Sequence, residues 1–190
     1  MFMKKGTIVG LIVGVVLVIL VLTGIGSYNK MTTSRENVDT KLSDVDVYLQ
    51  RRADLIPNLV NTVKGYTSHD SEILNTLSEA RSKLAGSGNL SDKMTANSEI
   101  SDAVSRLLVV VENYPDLKAD KQFTALMDEL SGTENRITVA RNDYNVAVQS
   151  YNQSIKRFPS NIIAGMFGFD SAEYFEASEA SKSVPNVSFS

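Results

Sequence analysis

Two hydrophobic patterns divide the chain. From Gly6 to Asn29 no residue is charged, and Ile8 to Ile25 consists almost wholly of Val, Ile, Leu and Gly. Beyond that run the apolar positions recur at alternating steps of four and three, the rhythm of a helix that presents one seam to its neighbours. Val38, Leu42, Val45, Leu49, Arg52, Ile56, Leu59 and Val63 keep the rhythm in one stretch. Phe123, Met127, Leu130, Glu134, Ile137, Arg141, Tyr144, Val148, Tyr151, Ile155 and Phe158 keep it in a second. Both stretches predict long helices.

The uncharged run is long enough for a membrane span, since crossing roughly 30 Å of hydrocarbon takes about 20 helical residues. A cleaved signal peptide is the rival reading, and Thr23, Gly24 and Gly26 could imitate its cleavage site. The run exceeds the roughly 7–15 residues of a signal core and leads straight into a helical pattern, which favours an uncleaved anchor. No cysteine follows it, so a lipoprotein anchor is excluded. Lys4 and Lys5 with the amino terminus on one side nearly balance Lys30, Arg35 and Lys41 on the other, so the charge rule does not choose an orientation.

The first helix past the span is expected to continue from about Tyr28 to Gly65, with Pro57 kinking or dividing it. Thr67 or Ser68 can cap a second, which carries Ile73, Leu77, Ala80 and Leu84 and ends at Gly86. After a loop from Gly86 to Asn89, Ser91 is the expected cap of a third. Its stripe is Ile100, Val104, Leu107 and Val111, and Tyr114-Pro115 stops it. A fourth begins near Asp120, tolerates Gly132, and ends before Pro159. Short connections place neighbouring helices antiparallel. The expected fold is therefore all-α: an N-terminal transmembrane helix within 1–29, then an antiparallel up-and-down four-helix bundle over 30–159 with long first and last helices. Residues 160–176 form an apolar segment, and the small polar residues of 177–190 an expected disordered tail. Ile162, Ile163, Met166, Phe167 and Phe169 could cover the open end of the bundle or rest among lipid headgroups. The lid is favoured, because the segment itself holds no basic residue to grip an anionic surface.

Charge and composition narrow the partners. Of 19 Lys and Arg only Lys4 and Lys5 precede residue 30, so 17 basic side chains face 22 acidic ones, a net of −5 that argues against nucleic acid. The absence of cysteine excludes disulfides, thiolate metal sites and a cysteine nucleophile. His69 is the single histidine, expected at a loop or helix start, and no Glu-x-x-His pair for a di-iron bundle exists. No phosphate-binding glycine loop or dinucleotide fingerprint is present, so no cofactor, metal or small-molecule substrate is indicated. Asp44, Asp46, Asp128 and Glu129 lie on helical faces with basic neighbours, and most read as solvated charge.

The informative departures are polar residues on the apolar seam. Arg52, Glu134 and Arg141 stand where Leu would be expected. If the two longest helices lie antiparallel with matched ends, facing residue numbers sum to about 185, so Arg52 comes level with Glu134. A charge on a seam is costly unless paired, which predicts a network of Arg52, Glu134 and Arg141. It would serve as a register device or, alternatively, as a polar site that binds or hydrolyses a ligand. Tyr144-Asn145 and Tyr151-Asn152 repeat seven residues apart on one helix face, and Tyr28-Asn29 repeats the pair beside the span. Tyr144, Asn145, Tyr151 and Asn152 could bind a partner or bond to neighbouring helices.

Several of these motifs occur together in a known order. The run Arg51-Arg52-Ala53-Asp54-Leu55-Ile56-Pro57-Asn58-Leu59-Val60, the turn Glu112-Asn113-Tyr114-Pro115-Asp116-Leu117-Lys118, Thr133-Glu134-Asn135-Arg136-Ile137 with Ala140-Arg141, the two Tyr-Asn pairs and Phe158-Pro159 closely resemble the LemA family over about residues 8–176. The resemblance implies an N-terminal membrane helix and an up-and-down four-helix bundle, with the short N-terminus outside and the bundle in the cytoplasm. It implies no reaction and supplies no catalytic residues. The expected function is a non-enzymatic scaffold or adaptor at the bacterial cell membrane, whose partners are the lipid bilayer and another protein or a second copy. Ligand binding or hydrolysis at Arg52, Glu134 and Arg141 is the alternative.

Overall fold

The steps of four and three are realised as helix, because they put one apolar stripe along each segment and leave the rest polar. In the computed structural model, which describes residues 5–66 and 71–175 except the side chains of 5–9 and 71, six helices and no strand occur among the described residues. They are α1 (Lys5–Lys64), α2 (Ser71–Gly86), α3 (Leu90–Val111), α4 (Pro115–Lys118), α5 (Lys121–Lys156) and α6 (Ser160–Phe167). Lys4, the expected caps Thr67 and Ser68, His69 and the tail 177–190 lie outside the described residues.

The chain forms two compact units, to both of which α1 and α5 contribute: Met1–Lys41 with Tyr144–Tyr174, and Leu42–Asp143 with Phe175–Ser190. In the first unit the apolar end of α1 shows its side chains on every side, with Leu11, Val16, Leu20 and Ile25 each about half exposed or more. That pattern is unstable in water and suits a segment long and apolar enough to cross a membrane. Its one hydroxyl in this stretch, Thr23, donates to the Ile19 carbonyl at 2.8 Å and so needs no water. Met31 and Val38 of α1 and Tyr144, Ala147, Val148, Tyr151 and Ile155 of α5 are among the buried apolar residues that follow. The Arg35 guanidinium lies over the Tyr151 ring at 5.6 Å.

In the second unit Val45, Leu49, Ile56, Leu59 and Val63 of α1 are buried with Leu77 and Ala80 of α2, Ile100 and Leu107 of α3, and Phe123, Leu130 and Ile137 of α5. α1 runs through Pro57 without dividing, contrary to one expectation; the residue is exposed, so its missing N–H costs a bond only on the solvent side. Asn89, not Ser91, caps α3: its side-chain oxygen accepts from the Asp92 N–H at 2.8 Å, and its amide nitrogen donates to the Asp92 carboxylate at 2.7 Å. Leu74 rather than Ile73 opens the buried stripe of α2. Beyond Tyr114 the chain makes one further helical turn, α4, started by Pro115 and held by the fully buried Leu117.

Asp120 starts α5. Its carboxylate accepts from the Phe123 N–H at 2.8 Å and from the Tyr66 hydroxyl at 2.8 Å. The backbone bond first, and the tyrosine second, hold the carboxyl below its ordinary value of 3.8. A carboxylate with a depressed folded value stabilises the fold above the ordinary value and loses that contribution as pH falls through the folded one. Thermal unfolding of the full chain in detergent should therefore drop to lower temperature on acidification below about pH 4. D120N, which keeps an oxygen acceptor without the charge, should flatten that part of the profile, measured by circular dichroism against pH. An unchanged profile would show that the cap carries none of the acid sensitivity.

Candidate functional site

Burial of a guanidinium demands partners for its five N–H donors. Arg52 is buried, its side chain 4% exposed, on the seam face of α1. One terminal nitrogen, Nη1, donates to Asn97 Oδ1 at 2.5 Å and to the Asn97 carbonyl at 3.4 Å. Nη2 donates to Ser101 Oγ at 3.1 Å. Glu134 Oε2 pairs with Nη1 at 2.5 Å from α5, in ionic contact without hydrogen-bond alignment. Nε has no partner. Burial lowers the Arg52 value from its ordinary one, and the neighbouring Glu134 carboxylate opposes the shift.

Arg141 is placed differently from the expected network. Its guanidinium carbon lies 5.5 Å from the Phe175 ring centre, so it stacks on an aromatic face and feels Glu134 only through space. The structure thus joins Arg52 to Glu134 and adds Asn97 and Ser101 from α3. Asn97 sits one step before Ile100 on the α3 stripe, so extending that stripe backwards would have found it. Two of the carboxylates with basic neighbours are paired: Glu129 with Arg51 at 2.5 Å, and Asp46 with Lys93 at 2.7 Å.

The repeated Tyr-Asn pairs meet a different fate. Tyr144, Tyr151 and Asn152 are buried and face the extended chain that follows α6, so this face is filled by the protein itself rather than left open to a partner. The Tyr151 hydroxyl donates to the Asp170 carbonyl at 2.8 Å and the Tyr144 hydroxyl to the Glu173 carbonyl at 2.9 Å. Between them the Asn152 amide donates to the Ala172 carbonyl and accepts from the Ala172 N–H, both at 2.9 Å. Asn145 is half-buried beside them. Heptad spacing sets these groups in line on one side of α5, and residues 170–173 use that line as a strap uses a track. Gly168 makes the turn possible: it ends α6 at φ 71°, a left-handed conformation in which other residues are strained. Burial pushes the Tyr144 phenol above its usual value, against the opposing charge of Arg35.

Two hollows stand out, and neither is lined by Arg52, Glu134 or Arg141. One, of about 510 Å³ in the second unit, lies between Asp46, Leu49, Gln50, Ala53, Leu84 and Lys93. The other, of about 110 Å³ in the first unit, is lined by Ser27, Lys30, Ser154, Arg157 and Ser160 among others. Among the described residues no group of three His, Asp or Glu side chains could hold a metal ion.

A sequence model described as the LemA family matches residues 41–189. The chain belongs to the LemA family. The match begins inside α1 and reaches past the strap, whereas the motifs alone carried the resemblance over about residues 8–176. The matched stretch does not include the apolar end of α1. The chain is 30% identical over 179 residues to magnetosome protein MamQ 1 of Paramagnetospirillum magneticum, covering 80% of this chain and 66% of that protein. It therefore spans just under two thirds of that relative's length. It is 26% identical over 190 residues to magnetosome protein MamQ of Magnetospirillum gryphiswaldense, covering 86% and 70%. Protein LemA of Metamycoplasma hominis is 26% identical over 156 residues, covering 82% and 71%. None of these family names is that of an enzyme.

Proposed function

We propose that this LemA-family protein is a single-pass, membrane-anchored scaffold or adaptor without catalytic activity, built as an antiparallel up-and-down four-helix bundle on the cytoplasmic side. The observation that carries the reading is the engagement of Arg52, whose terminal donors are taken by Asn97, Ser101 and Glu134. A site that bound or hydrolysed a ligand would keep such donors turned toward a hollow, and both hollows lie elsewhere. The relatives' names point the same way, since magnetosome proteins are named for a structure and not for a reaction. Support for the antiparallel pairing of α1 and α5 comes from each unit separately. Tyr66 meets Asp120 and Arg52 meets Glu134 in one, Arg35 meets Tyr151 and Ser27 meets Ser160 in the other. Rising numbers from Ser27 to Tyr66, along and just past α1, meet falling ones from Ser160 to Asp120, from the start of α6 back to the cap of α5, with sums of about 186 against the 185 expected from matched ends. The anchor rests on the exposed apolar turns of α1, and the cytoplasmic side on the family resemblance.

The partner is another protein or a second copy of this chain. A photo-crosslinking residue at Val139, which is 61% exposed on α5, tests this in the native membrane. One dominant adduct that disappears in R136E, one turn away on the same helix, is the expected result. A scatter of unrelated adducts, or none, would overturn the scaffold reading.

A further inference from the structure

The twelve residues from Phe158 to Phe169 carry no charge, and within them α6 buries only Ala164 fully. A lid over a helix bundle would turn its large side chains inward. This segment leaves Phe158 81%, Ile162 53%, Met166 72% and Phe167 60% exposed. Its inner contacts fix where it sits along α1. Ile163 Cδ1 lies 3.7 Å from the point where a side chain on Gly24 would begin, and Tyr28 meets Phe167 and Phe169 edge-on at 5.0 and 5.5 Å. Ser160 Oγ is 3.3 Å from Ser27 Oγ. α6 is thus held against residues 24–28, where the uncharged run of α1 ends.

We propose that α6 and the small hollow beside it are a docking surface for the phospholipid interface, with the exposed apolar face among the acyl chains and Lys30 and Arg157 at headgroup phosphates. The proposal rests on the anchor reading. Ile8–Ile25 as helix covers about 27 Å, close to the hydrocarbon thickness, which sets residues 24–28 at the level of the headgroups. A helix held there lies where interfacial helices bury an apolar face about 5–10 Å deep. Tyr28 takes the position of an interfacial aromatic. The missing basic residues of the segment are supplied by the fold: Lys30 and Arg157 line the hollow with Ser27, Ser154 and Ser160. Among the described residues the Arg157 guanidinium makes one long bond, 3.4 Å, to the Gln153 side chain, and neither cation has a carboxylate within ion-pair distance. Cations and hydroxyls together recognise phosphate oxygens, and continuity with the apolar turns of α1 makes a lipid surface the occupant.

The chain has no tryptophan, so M166W and, separately, V16W each introduce a single indole. Full-length protein is reconstituted in vesicles of phosphatidylcholine and phosphatidylglycerol brominated either near the acyl carbonyls or near the chain ends. The indole of M166W should be quenched several-fold more by the shallow bromines, and that of V16W by the deep ones. Quenching of V16W without M166W would overturn the docking surface and leave the anchor standing; quenching of neither would overturn both. A blue-shifted M166W signal that bromines do not quench would mean that protein, such as a second copy, covers α6, and would also overturn the proposal. In K30Q/R157Q the gain in M166W quenching from phosphatidylglycerol over pure phosphatidylcholine should vanish, and a retained gain would sink the phosphate assignment.

Discussion

E134A should destabilise the full chain in detergent by about 2–3 kcal/mol, measured by urea unfolding followed by helical circular dichroism. Removing one partner of a buried ion pair costs about 3–5 kcal/mol, because the remaining charge is left without compensation in a poor solvent. Arg52 meets that condition, with a side chain 4% exposed, whereas Glu134 is 37% exposed and water can enter when it is removed, which lowers the expectation. Asn97 and Ser101 also stay in place to receive the guanidinium. R52A should cost more, about 3–4 kcal/mol, since it leaves a cavity and strips Asn97 Oδ1 of its donor. The double variant R52M/E134L should lose less than either, because methionine fills much of the same volume and no buried charge remains. Such an order of effects identifies the pair as a device for alignment rather than a source of net stability. A double variant that loses as much as the sum of the single changes would refute this reading, as would an E134A variant of unchanged stability.

The same pair marks how far the sequence was legible. Arg52 could be set against Glu134 from periodicity because the repeat puts both on a seam, where a charge is costly without an opposite partner. Seam positions Val45, Leu49, Ile56, Leu59 and Val63 are buried for the same reason: a step of four and three keeps returning to one face. Legibility failed where the helical repeat stops governing the chain. Phe158 keeps the rhythm in sequence, yet the proline after it disfavours helix; α5 ends at Lys156 and the ring is exposed. Asn89 displaced Ser91 as a cap because the bond that decides a cap is made to a backbone N–H three residues on, which both residue types can satisfy. Arg141 feels the charge of Glu134, but its stacking on Phe175 comes from a stretch without periodicity and so could not be read. The strap was least legible of all. What Tyr144, Tyr151 and Asn152 bind is backbone, and a carbonyl at 170 or 173 leaves no signature in the identity of its residue.

N152A should release that strap. The substitution removes both bonds to Ala172, and at about 1 kcal/mol net for each neutral bond the loss is about 2 kcal/mol. The site is buried, with Asn152 6% exposed, so Ala172 would keep an unsatisfied N–H and carbonyl unless the strap moved out to water. Moving out is the expected response, because the Asp170 and Glu173 carbonyls on either side accept from one tyrosine hydroxyl each. Hydrogen exchange in the full chain, read by mass spectrometry, should therefore speed up at residues 170–173 by tenfold or more while the α3 core around Leu107 stays protected. N152D should do the same more strongly, because one carboxylate oxygen would face the Ala172 carbonyl where an amide now donates. Y144F and Y151F remove one bond each and should give smaller steps of about 1 kcal/mol. Combining N152A with Y144F and Y151F should loosen the strap beyond any single change, as each clamps a different carbonyl of one short segment. Unchanged exchange at 170–173 in the triple variant would mean that something other than the tyrosine and asparagine track holds the segment, and that the heptad repeat of those residues has another purpose.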